Sequence, residues 1–138
     1  MIKKTAGFTL IECMIVLVIV AILAIIAIPA YQAIIQKSRR SDATSSLIRV
    51  SLEQARYQAD NLTYANSLTL LGYAAASVDS DNKYYTITVT SGTATAFSAT
   101  ATPKAGKSQA TDSCGTFTIT QGWPNDLSTA AKTCWNLG

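Results

Sequence analysis

From Phe8 to Tyr31 nearly every position is hydrocarbon, FTLIECMIVLVIVAILAIIAIPAY, and Glu12 is its one carboxylate. At about 1.5 Å per residue this run makes a helix of roughly 36 Å, enough to cross a bilayer core of about 30 Å. It predicts a single membrane segment over residues 8–31. Beyond it, to Asp60, the pattern turns amphipathic. Ile34, Ser38, Ser41, Ser45, Ile48, Leu52, Ala55 and Ala59 step by four and three, while Arg49, Glu53, Arg56 and Asp60 form a charged ridge. Residues 32–60 therefore continue the helix. Pro29 removes one backbone hydrogen bond and predicts a kink without ending it. Taken as one rod to about Ala59, the helix would be some 78 Å long. A small head covers only its later half, so the first half needs lipid or other subunits. The small and hydroxyl residues of the seam permit close approach by the head or by neighbouring helices.

Residues 61–138 change character again. The stretch NLTYANSLTLLGYAAASVDSDN is a polar connection that specifies no element. Three segments then alternate with period two: Tyr85, Ile87 and Val89 against Tyr84, Thr86, Thr88 and Thr90; Phe97, Ala99 and Ala101 against Ser98, Thr100 and Thr102; Phe117 and Ile119 against Thr116, Thr118 and Thr120. That period predicts an antiparallel sheet with one apolar face, and Ser91-Gly92 supplies a hairpin turn between the first two strands. The later half of the helix is the natural cover for the apolar face, which makes the fold α+β, a long helix packed on a small antiparallel sheet. The Thr and Ser face is either solvated or a protein-contact surface. Pro103–Ser113 reads as a polar loop.

Composition narrows the function. With 138 residues there is room for one anchor and one small head. The 11 Lys and Arg exceed the 8 Asp and Glu, but from residue 61 onward Lys83, Lys104, Lys107 and Lys132 are balanced by Asp79, Asp81, Asp112 and Asp126. The head thus carries no net field toward nucleic acid, and DNA is a possible but not favoured partner. There is no His, no Gly-rich phosphate cradle, no carboxylate pair on a common cleft and no zinc-ligand spacing, so neither enzyme, cofactor nor metal site is expected. Cys114 and Cys134 lie in a polar segment that follows a membrane signal, and a disulfide in an oxidising compartment is the natural reading. Closing that loop is worth about 3 kcal/mol on the chain-entropy model. Cys13, inside the apolar run, reads as a small hydrophobe, with acylation or an intermolecular bond as the alternative.

The leader, MIKKTAG, is basic through Lys3 and Lys4 and stops at Gly7, directly before the apolar run. No small-residue cleavage site follows that run, so a cut that spares the anchor falls before it. Lys3 and Lys4 favour a cytoplasmic amino terminus, whereas Lys37, Arg39 and Arg40 flank the far side. Charge alone leaves the orientation open, and the cysteine pair favours the head outside. Arg39 and Arg40 either meet phospholipid headgroups or form a solvated collar. An acid in a membrane helix costs roughly 2.5–3.5 kcal/mol at its centre and usually marks function. Glu12 either complements the helix dipole near the interface or answers an ammonium created by a cut between Gly7 and Phe8, in its own chain or a neighbour's.

The block Gly7-Phe8-Thr9-Leu10-Ile11-Glu12, behind a short basic leader and ahead of a long apolar helix, resembles the class III signal of type IV prepilins, and Pro29 sits where that family has a proline. The resemblance covers about the first thirty-five residues. It implies cleavage after Gly7 by a prepilin peptidase that is also the N-methyltransferase, methylation of Phe8, docking through Glu12, and a pilin fold with 1–7 a cleaved leader and 61–138 a globular head. It further implies an inner-membrane protein, amino terminus cytoplasmic and head periplasmic, that passes through an assembly platform into an extracellular helical filament of pilin subunits. The Cys114–Cys134 region resembles the disulfide-closed end of pilins, and the Cys134-Trp135 ending is most similar to PilE-like minor pilins. A major pilin, a DNA-binding competence pilin and a type II secretion pseudopilin are the alternatives; no acidic calcium loop of the last kind stands near Asp112 or Asp126.

Overall fold

The computed structural model describes residues 7–137; Lys3 and Lys4 of the leader lie outside them. Contacts divide the chain into two compact units, one ending at Ile35 and one beginning at Gln36. The first helix, α1, is Leu10–Asn61, 52 residues with Pro29 inside it. In the first unit the apolar side chains of Leu10, Ile11, Val18, Ile25 and Tyr31 are all at least half exposed.

The second unit is the head. It has four strands, β1 (Ser77–Asp79), β2 (Tyr85–Gly92), β3 (Phe97–Pro103) and β4 (Phe117–Thr120), and a short closing helix α2 (Thr129–Cys134). The strands form one sheet in chain order, each antiparallel to the next. Three of them are the alternating segments of the sequence. β1 is an addition; at three residues with one inward side chain, Val78, it is too short to show a period.

Alternation sorts the sheet's faces. Tyr85, Ile87, Phe97, Ala99, Ala101, Phe117 and Ile119 are buried, and α1 covers them with Ala43, Leu47 and Val50. Among the described residues every buried one lies from Asp42 to Trp135, so the core of the head is built from the second unit's own residues. Trp135 closes it from the far end, edge-on to Phe117 at 5.8 Å and tilted against Trp123 at 5.3 Å. The Cys114–Cys134 disulfide, Cα atoms 5.8 Å apart, ties α2 to the approach of β4.

The hairpin turn falls three residues later than the sequence predicts, with Ala94 and Thr95 at its centre. Ser91 and Gly92 are paired with Ser98 and Phe97, and the register shifts between Val89 and Ser91, which leaves Thr90 as the extra residue of a bulge. The turn itself is closed by Thr93, whose N–H donates to the Ala96 carbonyl at 2.8 Å. Gly92 serves a close approach and not the turn: a Cβ there would overlap the carbonyl of Ala65. That segment is fixed from behind by buried Gln54, which donates to the Ala65 carbonyl at 2.8 Å and accepts from its N–H at 2.9 Å. Gly92→Ala is therefore expected to destabilise the head by about 1–3 kcal/mol, read as a lowered urea midpoint with an unchanged slope.

Candidate functional site

The amino-terminal segment is built by reciprocal capping. Thr9 precedes α1, and its N–H and hydroxyl both donate to Glu12 Oε2, at 2.9 and 2.8 Å, while the Glu12 N–H donates back to Thr9 Oγ1 at 3.3 Å. This is the Thr-x-x-Glu capping box. The signal stood in the sequence at Thr9-Leu-Ile-Glu12, where attention to Glu12 as a charge passed over it as a cap. Among the described residues Glu12 Oε1 takes no hydrogen bond, so half of the carboxylate is uncommitted. Gly7 and Phe8 are exposed just ahead of the box, and Cys13 is exposed just behind it.

α1 contains a stretch long and apolar enough to cross a membrane, and none of that stretch is buried. The later part of α1 faces the sheet with Asp42, Ala43, Ser46, Leu47, Val50 and Gln54. The seam of Ser38, Ser41, Ser45, Ile48, Leu52, Ala55 and Ala59 is exposed throughout. Of the two partners that seam could approach, the head is not one. Its ridge is partly self-paired: Arg56 holds Glu53 at 2.7 Å, while Arg49 reaches Asp81 of the β1–β2 turn at 2.7 Å.

The polar loop after β3 carries more structure than its composition suggests. Gln109 and Asp112 are buried in it. Arg40 grips Asp112 with two parallel hydrogen bonds, Nε to Oδ2 at 2.8 Å and Nη2 to Oδ1 at 2.6 Å. Gln109 Nε2 donates to the Tyr85 hydroxyl at 2.8 Å and to Asp112. Burial pushes the Asp112 carboxyl up, but the bonds from Arg40 and from the Cys114 N–H more than offset it, and the group titrates below the usual carboxylate range. Arg40 is consequently a structural cation. The sequence offered it to lipid as a partner of Arg39, and no short-range pattern could have linked it to an acid 72 positions later.

Tyr84 takes one of the remaining cations of this end of the head, and others lie next to its contacts in the chain. Arg39 lies over the Tyr84 ring, 4.4 Å from its centroid, and donates to Ser108 Oγ. Gln36 Nε2 donates to the Ser108 carbonyl at 3.0 Å, which seats Lys107 beside the start of the head. Lys83 is exposed next to Tyr84, with a left-handed φ of 59° in the β1–β2 turn. The Lys104 N–H donates to the Tyr84 carbonyl. Its ammonium is taken by Asp79 at 2.8 Å. Lys37, Arg39, Lys83 and Lys107 have no carboxylate within ion-pair distance among the described residues. Three of the four acids that balance the head's total charge are thus spent on particular cations, Asp112 on Arg40, Asp81 on Arg49 and Asp79 on Lys104, while Asp126 accepts from the Thr120 hydroxyl. Lys132, on α2, is half-buried. No three of His, Cys, Asp and Glu among the described residues come close enough to hold a metal ion.

Comparison with curated proteins found no match. Two family models do match. The prokaryotic N-terminal methylation motif covers residues 2–28, and the model described as "Type IV minor pilin ComP, DNA uptake sequence receptor" covers residues 29–118. The second match ends inside β4, so α2, Cys134 and Trp135 stand beyond it. It takes in well over half of the chain, including the later part of α1 and nearly the whole sheet; the chain belongs to the type IV minor pilin ComP family.

Proposed function

We propose that this minor pilin binds duplex DNA through the basic face around Tyr84. Family membership makes it a structural filament subunit that is processed by prepilin peptidase and assembles with other pilins; DNA contact is the finer reading. The observation that carries it is a local surplus of cations without carboxylate partners among the described residues: Arg39 on the Tyr84 ring, Lys83 next to Tyr84 in the chain, and Lys37 and Lys107 next to the Gln36–Ser108 contact. A neutral total gave no reason to expect DNA, but phosphates respond to the local field and not to the sum. The printed name of the matching family, a DNA uptake sequence receptor, supports the same reading.

The test is a gel-shift titration of the head, residues 36–138, against duplex DNA over a series of salt concentrations. Lys83→Gln with Lys107→Gln is expected to weaken binding about tenfold across all sequences and to flatten the slope of log affinity against log salt by about two, one released counterion per lost phosphate contact. Wild-type slope in the double variant rejects this face, and absence of any shift at low salt rejects DNA binding.

The processing reading belongs to the same proposal. Cleavage falls between Gly7 and Phe8, Phe8 is N-methylated, and the half-free Glu12 carboxylate meets the amino-terminal ammonium of a neighbouring subunit as the apolar helix exchanges lipid for other helices at the assembly platform. Before assembly the subunit is a single-pass inner-membrane protein with its head periplasmic, and Pro29 is the local weak point of the helix during extraction. The exposed apolar surface of Phe8–Tyr31, which water would not tolerate, supports lipid followed by neighbours as its surroundings. Its part in the cell is structural and adhesive toward DNA, with no catalytic step of its own.

A further inference from the structure

We infer that the face around Tyr84 holds anionic phospholipid headgroups while the subunit is stored in the membrane, so that lipid and DNA exclude one another there; only the exclusion rests on the DNA reading. Lys37 follows the last apolar pair, Ile34 and Ile35, by two residues, and Arg39 by four. Counted from Tyr31, six residues of chain reach at most about 20 Å even fully extended, so Lys37 stays close to the membrane surface whatever the direction of the chain. Tyr31 marks that boundary, as aromatic residues do at bilayer interfaces. The head then brings two further segments to the helix start: the Ser108 contact with Gln36 and Arg39 carries Lys107, the residue before it, and the Tyr84 contact with Arg39 carries Lys83, the residue before it.

What favours an anionic surface is the removal of competing charge. The Asp112 side chain is fully buried against Arg40, Asp79 answers Lys104, and Asp81 is drawn to Arg49. Lys37 and Lys107 are exposed, and their long stems can lie along apolar surface while the ammonium reaches a phosphate. Arg39 is fixed by Tyr84 and Ser108 and presents a planar fork at little further ordering cost. Each basic residue near an anionic surface strengthens binding about fivefold, and the effect fades within a Debye length of about 8 Å at physiological salt.

The experiment uses the head, residues 36–138, whose core is complete within itself. It is sedimented with vesicles of phosphatidylcholine alone or of phosphatidylcholine with one third phosphatidylglycerol, at low salt. Co-sedimentation with the anionic vesicles and not with the neutral ones is expected, reduced at least tenfold in Lys37→Gln with Lys107→Gln. Both positions are exposed, so the variant's melting temperature should match wild type. Added duplex DNA is expected to release the head from the vesicles. No binding to anionic vesicles alongside a positive gel shift overturns the lipid inference and leaves the DNA reading standing. Vesicle binding without any gel shift removes the DNA reading and leaves the lipid one. Binding of both without displacement overturns the shared face.

Discussion

Glu12→Ala should leave the subunit in the inner membrane at wild-type levels and remove it from sheared filaments, with at least a tenfold fall in the filament-to-membrane ratio on immunoblots. Insertion is not threatened, since losing a carboxylate from an apolar helix relieves a cost of up to about 3 kcal/mol. What disappears is the carboxylate oxygen that Thr9 leaves unused. The capping box complicates alanine alone, because loss of a cap destabilises the first turn by about 1 kcal/mol. Glu12→Gln separates the two effects. Glutamine can still accept from the Thr9 N–H, but it brings no charge to a neighbour's ammonium. Exclusion of both variants supports charge pairing; if Glu12→Gln assembles normally while Glu12→Ala does not, the residue acts as a cap, and wild-type incorporation of both ends the docking role.

The second large effect is expected in the head. Asp112→Ala strands the Arg40 guanidinium, whose side chain is only 15% exposed, without its bidentate partner. Breaking a buried pair from one side costs about 3–5 kcal/mol, and the residual hydration of Arg40 sets the expectation near 3. Arg49→Ala provides the contrast. Its pair with Asp81 has the side chains 52% and 61% exposed, and a loss below about 1 kcal/mol is expected from such a surface bridge. Urea denaturation of the two variants measures the difference; equal losses would mean that burial does not distinguish these bridges. The pH dependence follows in sign. Because the folded state holds the Asp112 carboxyl below its unfolded value, its stabilisation is complete above about pH 4 and drains away as the pH falls through the folded pKa. Asp112→Ala should accordingly flatten the acid limb of the stability curve.

Local periods made much of this chain legible. The apolar run and the three alternating segments each repeat over enough residues to fix an element, and the sorting of Tyr85, Ile87, Phe97, Ala99, Phe117 and Ile119 into the core follows from period two. What escaped depends on pairs distant in sequence. β1 exists because Val78 meets Ile87 across the sheet. Asp42 is buried because it accepts from Ser80 and Asn82, about forty residues on. The basic face forms because Ser108 comes back to Gln36 and Arg39. A count of charges could reach zero for the head yet could not tell that Asp79, Asp81 and Asp112 were spent on other cations. Ser91-Gly92 misled for a similar reason: glycine is a turn signal by habit of the backbone, whereas here it answers the approach of Ala65.

α2 buries none of its own side chains up to Cys134 and is fastened by one covalent bond and by the indole that follows it. The exposed start of α2, Thr129 and Ala130, is thus a stretch that the core does not inspect. Substitutions at Thr129 and Ala130 alter the outward shape of the subunit while Cys134 and Trp135 go on closing the head. A lineage can revise what this edge touches by point changes alone, keeping the same filament part.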